Sequence, residues 1–225
     1  MKIFVIIPAY NEAPLIGQVI SEVAPHVNQV IVVDDGSTDQ TGLVADQAGA
    51  QVITHPINRG QGAALQTGIT FALNQGADVI VTFDADGQLL ASEIDSMVKP
   101  ILTGEAQVVL GSRFLNQNPD TKIPRSKRLV LKAAVMITRL YTGLAITDTH
   151  NGMRAFSRQA AGQIEICQDG MAHASEIIEE IKKYKLKFKE IPVTVKYTEY
   201  SRRKGQKLSN SFKIIWDLFF SRMVK

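Results

Sequence analysis

The sequence predicts an α/β fold: a mostly parallel sheet flanked by helices, in a single domain spanning residues 1–225. Three observations carry this. Short Val/Ile-rich runs, each too brief for a helix, end at turn residues as buried strands do. Stretches of helical periodicity separate them, the alternation expected of a parallel sheet covered on both faces. A chain of 225 residues, 45% hydrophobic and 21% charged, is long enough for one sizeable core and shows no compositional sign of disorder.

The elements follow in order. Ile3–Ile7 reads as the first strand, with a helix over Leu15–Val23. Val30–Val33 is the second strand, and Ser37 or Thr38 just beyond it is expected to cap a helix by accepting a free first-turn amide. A helix over Gly62–Leu73 leads to strand Val79–Phe83, and a helix over Ile94–Leu102 to strand Val108–Leu110. Past a basic, Pro-containing connector, Thr121–Arg128, come a helix from Leu129 to about Tyr141, another at about Ser175–Tyr184, and a strand over Lys189–Val195. A polar loop, Glu199–Lys207, precedes a closing amphipathic helix with Phe212, Ile215, Trp216, Phe219 and Met223 on one face. In such Rossmann-like sheets ligands gather beyond the carboxyl ends of the strands, where Pro8–Glu12, Asp34–Asp39 and Asp84–Gln88 all fall.

Composition narrows the chemistry. The lone cysteine, Cys167, rules out an internal disulfide framework, fits a reducing compartment and reads as a small core residue. The apolar start is shorter than a signal-peptide core and no later run reaches a spanning length, so a cytoplasmic location is expected. Charge is divided unevenly. Residues 1–121 hold 4 Lys or Arg against 13 Asp or Glu, a net of −9, whereas residues 122–225 hold 21 against 9, a net of +12. An acidic half suits a metal; a basic half suits phosphate or a membrane surface. No nucleic-acid partner is expected.

Asp84 and Asp86, two residues apart at a strand end, place two carboxylates on one side if the backbone is extended. Such a pair repels unless a cation joins it. Mg2+ or Mn2+ takes oxygen ligands, often only one or two carboxylates, with phosphate and water completing the shell, and Gln88 offers a further carbonyl oxygen. The plain alternative is an Asp/Gly turn. Asp34–Asp39 offers acceptors and hydroxyls to a nucleobase and ribose; Pro8–Glu12 offers the Tyr10 ring for stacking and the Glu12 carboxylate for ring nitrogens. The run Asn58–Ala64 is glycine-rich but matches neither the P-loop nor GxGxxG, so it is a poor candidate phosphate cradle.

Taken together and in order, these segments resemble glycosyltransferase family 2, and within it the dolichyl-phosphate mannosyltransferase-like branch. Pro8–Glu12 is similar to its PxYNE opening, Asp34–Thr41 to its DDGSxDxT loop, His55–Gly60 with Gly62–Ala64 to its next loop and helix, and Asp84–Gln88 to its DADGQ segment. Gly111–Arg113, Asp148–Phe156 and Glu190–Val193 resemble later landmarks. The resemblance implies a GT-A fold, a UDP- or GDP-sugar donor, inversion at the anomeric carbon and a polyprenyl-phosphate acceptor. By position it implies nucleoside contacts from Pro8, Tyr10, Glu12, Asp34, Asp35 and Asp84, a backbone contact from Ala85, and a divalent cation, Mg2+ or Mn2+, on Asp86 and Gln88.

The acceptor side is expected in the basic half. An acceptor phosphate is already anionic and needs positioning by cations more than a base. Arg113, Lys127 and Arg128 fall where the branch places them, although Leu131 stands where it carries a serine; Arg202, Lys204 and Lys207 belong to a run similar to its basic loop over the donor diphosphate. A hydroxyl acceptor on a glycan, the competing reading, would need a base, and Glu176 lies in the region where sugar-acceptor members carry one. A helix-surface carboxylate is its plain alternative. Two further readings are a sugar-1-phosphate nucleotidyltransferase, against which Pro8–Glu12 stands, and a non-catalytic binding module, against which Asp84, Asp86 and Gln88 stand. Peripheral membrane contact at the inner face, a membrane-protein partner and self-association stay open, as does the docking of the closing helix on membrane or protein.

Overall fold

The computed structural model describes residues 1–115 and 125–196, so the basic run Tyr200–Lys207 and the closing helix lie outside the described residues. Within them the strands are β1 (Ile3–Ala9), β2 (Gln29–Asp34), β3 (Gln51–Thr54), β4 (Val79–Thr82), β5 (Val108–Ser112), β6 (Arg154–Ser157) and β7 (Phe188–Pro192). The helices are α1 (Ala13–Val23), α2 (Thr41–Gln47), α3 (Gln61–Asn74), α4 (Ile94–Leu102), α5 (Arg125–Thr142), α6 (Arg158–Gln163) and α7 (His173–Lys183). The strands form one sheet in the order β3-β2-β1-β4-β6-β5-β7. Every neighbouring pair is parallel except the two made by β6, which is antiparallel to both β4 and β5.

Strand alternation builds two cores. Val5, Ile7 and Ala9 of β1, with Val30 and Val32 of β2, face a layer closed by Ile16, Val19, Ile20 and Val23 of α1 and Ile94, Met97, Val98 and Ile101 of α4. Phe4, Ile6, Ile31 and Val33 face the opposite layer, closed by Leu65 and Ile69 of α3 and Ile177, Ile178 and Ile181 of α7. The helical residues recur three and four apart, so each helix presents one apolar stripe to the sheet.

Four expectations need correction. The helix after β2 starts at Thr41 and is not capped by Ser37 or Thr38. The Ser37 hydroxyl accepts the Asn11 amide at 2.9 Å, the Thr38 amide donates to Asn11 Oδ1 at 2.8 Å, and it is Asp39 Oδ1 that accepts the Thr41 amide at 2.9 Å. The predicted strand Lys189–Val195 stops at Pro192; the chain then turns so that Val195 bridges Leu89 and the Lys196 amide donates to the Gln88 carbonyl at 2.8 Å. Cys167 is exposed rather than in the core. Finally, Asp84–Gln88 lies beyond the end of β4 and forms a turn, so extended alternation does not place its carboxylates.

Candidate active site

Pro8–Glu12 and Asp34–Asp39 leave neighbouring parallel strands at the same sheet edge and are stitched together. Besides the Asn11 bonds, the Glu12 amide donates to Thr41 Oγ1 at 2.8 Å and the Ala13 amide to Asp39 Oδ2 at 3.2 Å. Pro8 is half-buried, Tyr10 is 43% exposed, and Glu12, Asp34 and Asp35 are buried. Asp34 Oδ1 accepts the Ser37 amide at 3.0 Å. Asp35 is occupied more fully: Oδ1 takes His55 Nδ1 at 2.7 Å and the Arg59 amide at 2.9 Å, and Oδ2 takes the Gly60 amide at 2.6 Å. A carboxylate has about four acceptor positions, so Asp35 retains capacity for roughly one further donor.

Beyond β4, the Ala85 side chain enters the core while its neighbours stay partly accessible. Asp86 accepts the Gln88 amide on Oδ1 at 3.1 Å and the Gln88 side-chain amide on Oδ2, so Asp86 and Gln88 are already adjacent. Asp84 accepts Gln61 Nε2, from the first turn of α3, at 3.1 Å. Burial pushes the Asp84 carboxyl up to about 7 and the charge of Asp86 adds to this, while Arg154, Arg113 and Gln61 pull it down. The segment therefore holds two carboxyls whose joint ionisation is opposed, together with an amide oxygen source. An all-oxygen set of this size fits a hard divalent cation completed by substrate phosphate. Among the described residues no group of three or more His, Cys, Asp or Glu could hold a metal ion.

The cations come from the end of β5 and from the start of β6, the strand that runs the other way. Because β6 is antiparallel, it starts at the edge where β4 ends, with Arg154 opposite Thr82. Gly152 lies directly under Asp84: a Cβ there would overlap the Asp84 carboxylate, so only glycine leaves that side chain its place. Arg113, at the end of β5, donates from Nε to Asp148 Oδ2 at 2.6 Å and from an η nitrogen to the His150 carbonyl at 2.6 Å. Glu190 of β7 fixes this arrangement from behind, its Oε1 accepting the Thr147 amide at 2.7 Å and the Asp148 amide at 3.2 Å. Arg154 reaches the Thr149 carbonyl at 2.8 Å, and burial lowers it to about 10.

Residues 4–165 match the family model described as glycosyl transferase family 2. The chain belongs to glycosyltransferase family 2. It is 33% identical, over 99% of this chain and 97% of the relative, to the UDP-N-acetylglucosamine–dolichyl-phosphate N-acetylglucosaminyltransferase of Methanococcus voltae. It is 31% identical to the undecaprenyl-phosphate mannosyltransferase of Micrococcus luteus, over 74% of this chain and 70% of that one. Among solved structures, glucosyl-3-phosphoglycerate synthase of Mycobacterium tuberculosis, in complex with Mn2+, UDP and phosphoglyceric acid, superposes with a TM-score of 0.72 at 22% identity, covering 96% of this chain and 77% of that chain. The fold is therefore GT-A, and the chain is an enzyme of the glycosyltransferase class.

In this family 2 glycosyltransferase the remaining expected residues are placed unevenly. Lys127 and Arg128 lie near the start of α5, Arg128 exposed, and Leu131 turns toward the interior. Arg202, Lys204 and Lys207 lie outside the described residues; the last described residue, Lys196, is bonded to Gln88. Glu176 is engaged: its Oε2 accepts the Cys167 amide at 3.1 Å and the Gln168 amide at 2.9 Å. His173 is buried, its Nδ1 donating to the Gly170 carbonyl at 2.9 Å, and burial drives it down to about 3. In the glycine-rich run, the Gly60 amide is taken by Asp35 and the Gly62 amide by the Asp169 carbonyl at 2.8 Å. Sequence reasoning missed the role of Gln61, which lies within that run and begins α3, and the supporting roles of Gly152 and Glu190.

Proposed function

We propose that this enzyme moves a hexose from a UDP- or GDP-sugar to a polyprenyl phosphate, with inversion and with the help of Mg2+ or Mn2+. One observation supports this above the rest. The acidic turn Asp84–Gln88 and the cations Arg113 and Arg154 meet at one sheet edge, close enough for both arginines to act on the Asp84 charge. Such a seam suits a substrate pair that carries a diphosphate on one partner and a phosphate on the other.

In this reading Pro8, Tyr10, Glu12, Asp34, Asp35 and Asp84 hold the nucleoside, Ala85 contributes its backbone, and Asp86 and Gln88 supply oxygens to the cation. When bound, that cation neutralises charge on the departing nucleoside diphosphate. Arg113, Lys127 and Arg128 orient the acceptor phosphate, with Arg202, Lys204 and Lys207 on the diphosphate. An anionic phosphate oxygen attacks the anomeric carbon opposite the scissile bond, and the bonding pair leaves with the nucleoside diphosphate. No protein base is required, in keeping with a Glu176 carboxylate that accepts two backbone amides. The relatives named for dolichyl-phosphate and undecaprenyl-phosphate transfer favour the same acceptor class.

The test is transfer of radiolabelled sugar from UDP- and GDP-hexoses, with Mn2+, to polyprenyl phosphate in detergent. Label should enter the lipid extract with the wild type and fall by about 100-fold or more with Asp86→Ala, the scale of losing a transition-state charge stabiliser. Label appearing in glycan but never in lipid would replace the acceptor, and equal transfer by the variant would overturn the role of Asp86.

A further inference from the structure

Among the described residues, two buried or half-buried carboxylates, Asp35 and Glu176, brace the segment that carries Gln61, whose side chain donates a hydrogen bond to Asp84. On one side Asp35 takes the Arg59 and Gly60 amides at 2.9 and 2.6 Å, pinning the chain as it enters α3. On the other side the segment 166–170 lies across the same turn. A Cβ at Gly60 would overlap the Asp169 carbonyl, and one at Gly62 would overlap the Gln168 carbonyl. The glycines of this run thus serve close backbone approach.

The overlying segment is tethered along its length. The Ile166 amide donates to Gln66 Oε1 at 2.7 Å, the Cys167 and Gln168 amides to Glu176, and the Asp169 carbonyl accepts the Gly62 amide at 2.8 Å. Between these two restraints sits Gln61, its Nε2 3.1 Å from Asp84 Oδ1. We infer that Glu176 is a positioning residue: by fixing 167–169 upon Gly60–Gly62 it sets the place of Gln61, and through Gln61 that of Asp84 in the donor site. This assignment rests on the donor-site reading above and replaces the role of general base with a mechanical one. The geometry discriminates between the two, because both amides reach the same oxygen of Glu176. A glutamine keeps that acceptor, whereas a base would lose its function in the glutamine as fully as in the alanine.

The experiment is a double-mutant cycle on Glu176→Ala and Gln61→Ala, with Glu176→Gln as the conservative variant. Calorimetry with Mn2+ and UDP or GDP reads affinity for the metal–nucleotide complex, and donor hydrolysis reads turnover. Glu176→Ala and Gln61→Ala should each weaken affinity about tenfold, and the double variant by the same tenfold rather than a hundredfold, since residues on one path are non-additive. Glu176→Gln should stay within about threefold of wild type, a comparison that also controls for folding. Multiplicative losses would overturn the path through Gln61. Glu176→Gln losing turnover as far as Glu176→Ala, with nucleotide affinity intact, would make Glu176 the base. No acceptor enters the titration, so failure of lipid transfer leaves this result standing, while absence of metal–nucleotide binding in the wild type overturns both readings.

Discussion

Gly152 sets how closely the loop before β6 can approach Asp84, because any Cβ there overlaps the carboxylate. We expect Gly152→Ala to displace Asp84 and lower kcat/KM by about 100-fold, the effect of an ångström-scale misplacement. Overpacking should also cost about 1–3 kcal/mol in urea unfolding. Unchanged kinetics would show that Asp84 has more room than its surroundings suggest. The segments proposed to bear the chemistry were legible in sequence because Pro8–Glu12, Asp34–Asp39 and Asp84–Gln88 are contiguous and end strands. Their supports were not. Gln61 meets Asp84 from 23 positions away and Glu190 meets Thr147 from 43, and neither pairing leaves a local pattern. Glu176, a carboxylate in the region where a base is expected, accepts two backbone amides, a role that leaves no local pattern either.

At the scale of the element, α5 stands apart from the helices that close the cores. It leaves Leu129, Met136 and Leu140 exposed by 73%, 60% and 79%, on positions seven and four apart and hence on one face. Its sequence from Arg125 to Thr142 contains no acidic residue, and Arg128, Lys132 and Arg139 are exposed beside the stripe. An apolar face bordered by cations matches an anionic lipid surface. The purified protein should co-sediment with vesicles containing anionic phospholipid and release as salt rises, and Met136→Glu with Leu140→Glu should cut this at least tenfold while leaving nucleotide binding intact. Absence of co-sedimentation, or binding that ignores both substitutions, would overturn a lipid-docking role for this face.

Elements were legible where apolar runs were long. β1, β2, β4 and β5 were foreseen from unbroken Val/Ile runs, and α1, α3 and α4 from their stripes. β3, with two apolar residues in Gln51–Thr54, and β6, whose four residues Arg154–Ser157 include two polar ones, carry too little periodicity to be seen. Both are positioned by their neighbours in the sheet rather than by their own pattern.

For the molecule as a whole, two buried histidines set an acid limit. His150 is lowered to about 4, chiefly by burial with Arg113 and Arg154 adding and Asp148 opposing; His173 is lowered to about 3 by burial and Arg154, against its bond to Gly170. The unfolded chain titrates both near pH 6.5, so between about 6.5 and 4 it binds more protons than the folded one, and stability falls as pH falls. The loss should reach about 2 kcal/mol per histidine by pH 5 and be absent above pH 7.5. Asp84, raised to about 7, acts in the opposite sense over the same window and offsets part of this loss. His150→Gln should raise stability at pH 5 relative to pH 7 by about 2 kcal/mol in urea unfolding, and an unaltered difference would place the acid limit elsewhere.

The reversed strand β6 carries a consequence for how the molecule comes into being. It inserts between β4 and β5, both of which precede it in the chain, and the pairings Thr82 with Arg154 and Leu110 with Arg154 span 72 and 44 positions. Such long loops must close before those contacts reward closure, which makes them slow to form. A nascent chain synthesised only through β5 has made Asp84 and Asp86, yet it has neither the glycine that admits the first nor the arginine that balances it. Strands β1, β2 and β4 can pair while translation continues, but the edge at which Asp84 meets Gly152 and Arg154 is completed late, when a strand still to be translated comes to lie between β4 and β5.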